Sequence, residues 1–480
     1  MAYRIFEPTT MTRLSTIDSG FLLTESAHSP KHVGALMIFE LPAGKGSAWL
    51  RRLLAEMKRT PPGFPFNQRI RRLAGPVYEM EPDDAFDIEY HVRHTMLPRP
   101  GTGAQLDELV AQLHATLLDR DRPLWEFHLI EGLQGRRFAL YVKLHHAIGD
   151  GITFGRWIDD STTTAPRDTS VRPIWDRPEA VPEGDSDGVS YLQMAEDAIK
   201  TLGGGVRTAL GIGAISARMV QRRLFGHDEH VALPLSAPRT SLNVPTGSAR
   251  SVAFTSWPLE DLRAVGKARG ATINDVVMTM CDMAISHYFE QHGTAPRGSL
   301  VAYMPVNVRD AEACGDGNLL TLLQVKLAST HNDPLSSLAE VRESIHSARE
   351  VFSGTSRPAV QYYSMMVALA AQAEEILGLG RFLPPVNNLV ISNVSGSRVK
   401  RYLKGAEAVG MYPVSTLPPL TALNVTCCSY AGTLYFGLTA GRSAVPDLPL
   451  LIEYLHEAFG QLALATGTAP TATRPARKSA

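Results

Sequence analysis

The sequence predicts an α/β protein whose two halves each mix strands and helices. Strand and helix signals alternate through both halves of the 480 residues, and a stretch rich in Thr, Asp, Pro and Gly from Thr162 to Ser190 separates them. The composition, 44% hydrophobic and 20% charged, belongs to a chain that can bury cores of that kind.

Taken in order, Leu50 to Lys58 reads as a helix, His91 to Leu97 as a strand and Leu106 to Leu118 as a helix with apolar residues at 3.6 spacing. Phe138 to Leu144 alternates toward a buried strand. It ends at His145-His146-Ala147-Ile148-Gly149-Asp150-Gly151, and an apolar segment through Trp157 follows as a helix start. After the loop, Tyr191 to Phe225 is helical, broken at Gly203-Gly204-Gly205. Its apolar Leu210, Ile212, Ile215, Met219 and Leu224 stand beside Lys200, Arg207, Arg218, Arg222 and Arg223. Two readings fit that mixture: a helix packed on the two halves, or an interfacial membrane helix.

The second compact region opens near Arg250. Val252 to Trp257 reads as a strand and Leu259 to Arg269 as a helix, and Thr272-Ile273-Asn274-Asp275 caps a helix running to His292. Strands follow at 300–305, 320–327, 389–393, 423–430 and 433–438, with helices at 338–352, 358–377 and 448–464. The expected organisation is a domain at 1–160, a loop and helical crossover at 161–249, a second domain at 250–465, and a disordered basic tail at 466–480.

Composition excludes several functions. Lys+Arg 47 against Asp+Glu 48 gives −1, so no basic field exists to bind nucleic acid. Cys281, Cys314, Cys427 and Cys428 form no CxxC pair, which argues against a disulfide framework or zinc site and fits a reducing cytoplasm. Met1 to Thr10 has no apolar run of the export type, and no stretch approaches the roughly 18 apolar residues of a spanning helix. Membrane contact is therefore expected to be peripheral. There is no GxSxG, HExxH or GxxxxGK[ST]; Gly211-Ile212-Gly213 lacks a third glycine, and His227-Asp228-Glu229-His230 lies in a charged loop without partner spacing.

What remains is His-His-x-x-x-Asp-Gly at 145–151. An imidazole at a strand end is the side chain best placed to take a proton near neutral pH. Asp150 can anchor the turn or orient a ring, and Gly151 allows close backbone approach.

This string resembles the HHxxxDG motif of CoA-dependent acyltransferases. From about Leu14 to Asp447 the chain is similar to the bacterial wax ester synthase/diacylglycerol acyltransferase family. The supporting strings are Leu14-Ser15-x-x-Asp18-x-x-Phe21-Leu22, Pro30-Lys31-His32-Val33-Gly34, Pro123-Leu124-Trp125, Leu129-Ile130-Glu131-Gly132-Leu133, Asn274-Asp275-Val276-Val277, Met304 to Arg309, Gly317-Asn318, Ser392-Asn393-Val394 and Leu423 to Thr426 with Ser429-Tyr430. Four positions depart from the family pattern. Gly149 stands for an aliphatic residue, Ser395-Gly396-Ser397 for Pro-Gly-Pro, Lys31 for Met, and Gly441 for an acidic residue.

The resemblance implies two chloramphenicol-acetyltransferase-like domains with an active-site tunnel between them. Acyl-CoA enters as substrate and a long-chain alcohol or diacylglycerol as acceptor, giving wax ester or triacylglycerol without metal or cofactor. His146 is the expected base. His145 is assigned to packing or hydrogen bonding rather than catalysis, and Asp150 to a buried ion pair rather than a relay. Asn274 either donates to the oxyanion or caps its helix with Asp275, and Trp125 either walls the acyl channel or packs the core. Peripheral association with the inner membrane or lipid droplets is expected, since such products are nearly insoluble in water. The alternative is a catalytically idle lipid-binding or droplet-coat protein on the same fold. The oligomeric state is left open.

Overall fold

A computed structural model describes residues 12–75, 77–177, 205–225, 228–307, 320–328, 333–355 and 357–468. The expected helix at 191–204, Cys314, the Gly317-Asn318 string and the tail beyond Thr468 lie outside them.

The first half contains β1 (Thr12–Arg13), α1 (Thr16–Thr24), β2 (His32–Glu40), α2 (Ser47–Met57), β3 (Gln68–Ala74), β4 (Val77–Pro82), α3 (Ile88–His91), β5 (Val92–Met96), α4 (Gly103–Ala115), β6 (Trp125–Leu133), β7 (Arg137–His145) and α5 (Gly151–Asp160). The second contains α6 (Gly205–Val220), β8 (Arg250–Pro258), α7 (Leu259–Ala268), α8 (Ile273–Gln291), β9 (Val301–Asn307), β10 (Leu320–Lys326), α9 (Pro334–Phe352), α10 (Arg357–Ile376), β11 (Leu389–Ser395), β12 (Tyr402–Leu403), β13 (Ala406–Val414), β14 (Leu423–Tyr430), β15 (Thr433–Gly441) and α11 (Leu448–Thr466).

Two mixed six-stranded sheets organise the chain, in the orders β12-β13-β2-β7-β6-β5 and β10-β9-β11-β14-β15-β8. Both expected cores are present, and β5, β7 and the second-half strands β8, β9, β10, β11, β14 and β15 fall where the periodicity puts them. Sheet membership, however, cuts across the expected boundary at 250. β12 and β13 come from the second half of the sequence yet join the first sheet, β13 pairing antiparallel with β2. The sheets also meet closely through β13. A Cβ built on Gly437 of β15 would stand 1.7 Å from the carbonyl oxygen of Pro413 in β13. Gly437→Ala is therefore expected to destabilise by about 1–3 kcal/mol, the usual cost of overpacking. An unchanged melting temperature would mean that the sheets separate freely at this point.

β7 presents opposite side chains to two environments. Phe138, Leu140, Val142 and Leu144 enter the apolar core with Trp49, Leu50, Leu53 and Phe154. On the other face Lys143 is fully buried, its Nζ 2.9 Å from Glu126 Oε2 and donating to the carbonyls of Leu113 and Thr116 at 3.0 and 2.9 Å. This buried pair ties the C-terminal end of α4 to the strand that carries the histidines.

The candidate membrane segment is described only from Gly205. Ile215 and Met219 turn inward onto Tyr303, Val360, Tyr363 and Val390. Arg218 bonds the Ser353 carbonyl and Thr355, and Arg222 pairs with Asp228 and Glu350. The described inward side chains of α6, Ile215 and Met219, are thus packed on α10 and the second sheet, as the first of the two readings expects. Across the described residues no helix is long and apolar enough to cross a membrane.

Candidate active site

The turn after β7 is fixed from three sides. His145 N donates to Leu124 O at 2.9 Å, so the Pro-Leu-Trp string serves to seat the strand end. His146 N donates to Lys31 O at 2.9 Å, and Asp150 begins α5, its Oδ1 accepting from Thr153 N at 2.7 Å. The turn lies where the two halves touch: Thr416 donates to Pro30 O at 2.6 Å and Arg250 to His28 O at 2.8 Å.

His146 retains partial exposure and stacks on Phe21, ring centroids 4.3 Å apart. Its Nδ1 is buried with no hydrogen-bond partner among the described residues. Burial lowers its pKa to about 4, against the raising effect of the Asp150 charge, with His145 and Lys31 adding to the fall. The ring is therefore neutral at physiological pH, as a proton acceptor must be.

His145 is fully buried, its Nδ1 accepting from Ala147 N at 3.0 Å. That bond places the ring proton on Nε2, which lies 3.3 Å from Glu25 Oε1. Glu25 also accepts from Lys31 N at 3.1 Å and from Arg120 Nη2 at 3.0 Å. Burial would raise its pKa, but His145, the Lys31 amide and Arg120 outweigh that and bring it to about 2. One carboxylate thus lies against the His145 ring and binds the amide of Lys31, whose carbonyl receives the His146 amide. Sequence reasoning missed Glu25, since nothing in a lone glutamate after a short helix announces it. Lys31, noted only as a departure from the pattern, is buried with Nζ donating to Ser29 Oγ at 2.7 Å. Burial lowers its pKa to about 8, opposed by Glu375 and Glu25.

Several expected roles change. Asp150 makes no ion pair among the described residues; its buried carboxylate is a helix N-cap, because the turn leaves α5 with free amides exactly where an Asp can reach them. The expected cost of Asp150→Ala is therefore about 1 kcal/mol, that of a lost cap, rather than that of a broken buried pair. Asp150→Asn, which can still cap, should melt within a degree or two of the parent; a large loss would reveal a missing ionic partner. A Cβ on Gly151 would meet nothing within 4 Å among the described residues, so it would meet open space there.

Trp125 is fully buried: Nε1 donates to Phe66 O at 2.8 Å, and the ring stacks on His91 and Trp175 at 4.5 and 5.3 Å. In this structure it packs in the first core. Asp275 is likewise occupied, forming a capping box in which Thr272 N donates to its Oδ2 at 2.7 Å. Asn274 is not the cap. Its Oδ1 accepts from Asn393 Nδ2 at 2.7 Å, which joins the start of α8 to β11, a strand that also meets α5. The two family strings around 274 and 393 thus form one polar pair that spacing could not show.

Among the described residues no group of three or more His, Cys, Asp or Glu could hold a metal ion. The two-sheet plan is shared with the first condensation domain of the calcium-dependent antibiotic synthetase (TM-score 0.59, 17% identity, 97% of this chain and 98% of that one), a likeness of fold alone. Fold and motif together put the chain in the class of HHxxxDG acyltransferases. Within it, residues 14–277 match the wax ester synthase/diacylglycerol acyltransferase catalytic domain and 316–463 the WS/DGAT C-terminal domain, so the chain belongs to that family. A Mycobacterium tuberculosis H37Rv protein named "Probable diacyglycerol O-acyltransferase tgs2" is 35% identical over 460 residues, 94% of this chain and 98% of the relative. The wax ester synthase/diacylglycerol acyltransferase from Marinobacter aquaeolei VT8 superposes with a TM-score of 0.73 at 30% identity, over 95% of this chain and 100% of that one. The chain is an acyl-CoA-dependent O-acyltransferase.

Proposed function

We propose that the chain transfers a long-chain fatty acyl group from acyl-CoA to the hydroxyl of a diacylglycerol or a long-chain alcohol, with His146 as the base. The observation that carries this is a neutral, partly exposed His146 on a turn clamped from both halves. As the hydroxyl oxygen attacks the thioester carbonyl, His146 takes its proton. When the tetrahedral intermediate collapses, the C–S bond breaks and His146 returns the proton to the CoA thiolate. Such a base contributes about 10²- to 10⁴-fold, and holding both substrates in one complex supplies much of the remainder. The reading needs no acyl-enzyme, metal or cofactor.

His145 and Glu25 position the base, the first through the Ala147 amide and the second through the Lys31 amide. The Asn274–Asn393 pair offers an amide donor for the developing oxyanion. The reaction takes place in a tunnel between the halves and at a lipid surface, of the inner membrane or of neutral-lipid droplets, because its product leaves into an apolar phase. The idle-coat alternative has no observation in its favour.

Release of CoA thiol from palmitoyl-CoA, with dioleoylglycerol or hexadecanol as acceptor, tests the reading; absence of release with either acceptor would overturn it. The pH profile gives a second check. His146 is protonated only as pH falls through about 4, so the acid limb of kcat/KM belongs near that value. Asp150 favours the protonated ring, so Asp150→Asn should shift the limb lower still. An acid limb at or above the ordinary histidine value of about 6.5 would contradict a desolvated base.

A further inference from the structure

The outward face of α10 runs against the usual rule that a surface helix shows polar residues to water. Met366 and Leu369 are 47% and 48% exposed, and Leu377, the first residue after the helix, 66%. Ala370 and Ala373, which fill the same stripe at helical spacing, are exposed too. The turn that follows continues it with Phe382 at 79% and Leu383 at 37%. The opposite face is conventional: Val360, Tyr363, Val367 and Ala371 are buried against Ile215 and Met219 of α6. The helix is therefore anchored on one side and apolar on the other, and among the described residues the exposed stripe carries no charged side chain.

This ridge adjoins the active site. Glu375, on its flank, is a charge that acts on the buried Lys31. In the turn after α10, a Cβ on Gly380 would stand 2.7 Å from Leu420 Cδ1. Leu420 ends the loop whose Thr416 bonds Pro30 O, beside the Lys31 carbonyl that receives the His146 amide.

We propose that the α10 ridge, Met366, Leu369, Leu377, Phe382 and Leu383, is the face on which the enzyme docks to a lipid surface. For the nature of its occupant this rests on the acyl-transfer reading above: an acceptor and product that dissolve only in an apolar phase must pass between that phase and the site, and the ridge is the apolar surface connected to it. A second copy fits less well. The ridge consists of one helix face and the turn after it, whereas a stable protein interface covers roughly 800 Å² per partner. The described side chains of the stripe are uncharged, with Arg239 at its end donating to the Leu383 carbonyl, so docking depends mainly on apolar insertion and responds only weakly to salt, unlike attraction by clustered basic residues.

The test is flotation of the full-length protein with phosphatidylcholine vesicles containing dioleoylglycerol, at low and high salt. The parent should float in both. Combined Leu369→Ser, Leu377→Ser and Phe382→Ser, with an unchanged melting temperature, should cut the floated fraction about tenfold or more. Met96→Ser, on the exposed edge strand β5 of the first sheet, should leave flotation unchanged. CoA release with hexanoyl-CoA and butanol should be the same in parent and triple variant, while release with vesicle-borne dioleoylglycerol falls. Undiminished flotation of the triple variant would overturn the proposal. So would a triple variant that converts a dimer to a monomer in sedimentation while still floating, which would make the ridge a contact between copies. Flotation is scored without turnover, so an enzyme inactive on every acceptor would refute the catalytic reading and leave the docking result to be judged by itself.

Discussion

His146→Ala is expected to lower kcat by about 10²- to 10⁴-fold while acyl-CoA still binds and the melting temperature holds, because only the proton acceptor is removed. The backbone amide of residue 146 still reaches Lys31 O, and the clamp on the turn is made by Glu25, His145 and Asp150. His145→Ala should behave differently. It removes the acceptor of the Ala147 amide and leaves the Glu25 carboxylate with one partner fewer, so it should lose stability along with activity. Thermal melts and single-turnover acyl transfer on both variants separate the roles. A folded His145→Ala less active than His146→Ala would reverse the assignment.

Trp125→Ala is expected to destabilise the protein by about 3–5 kcal/mol, as large aromatic truncations in a core do. The ring lies among Phe66, Phe86, His91 and Trp175, and its loss would also strand the Phe66 carbonyl. Urea unfolding measures the loss directly. If stability were unchanged and KM for acyl-CoA rose instead, the residue would line the channel after all. The same aromatic cluster explains why the Pro-Leu-Trp string accompanies the histidines: the indole fixes the segment in the core, and Leu124 one residue earlier offers its carbonyl to His145.

The histidine pair was legible because its chemistry is local. A buried strand, two imidazoles and an Asp-Gly at the start of a helix lie within fourteen residues, from Phe138 to Gly151, and periodicity places all of them on one turn. The strands β5 and β7, the long helix α8 and the α9, α10 and α11 helices were legible for the same reason: spacing along the chain reports which face is buried. The sequence missed β2 and β6, whose runs of buried residues do not alternate, and β13, where Gly410 and Pro413 read as a break.

Everything that depends on residues far apart in the chain was decided by the tertiary structure. Glu25 meets His145, and Asn274 meets Asn393, across separations for which no periodicity exists. The crossing of β13 into the first sheet is a pairing choice between strands, not a property of either strand. The contrast is plainest in the two apolar helices. Tyr191 to Phe225 carries the mixture of basic and apolar residues that suggests a membrane face, yet Ile215 and Met219 point inward because α10 lies against them. α10 reads from the sequence simply as a helix, yet among the described residues Met366 and Leu369 on one of its faces stand exposed. Amino-acid order determines that a helix has an apolar side; only packing decides whether that side meets protein or is left facing out.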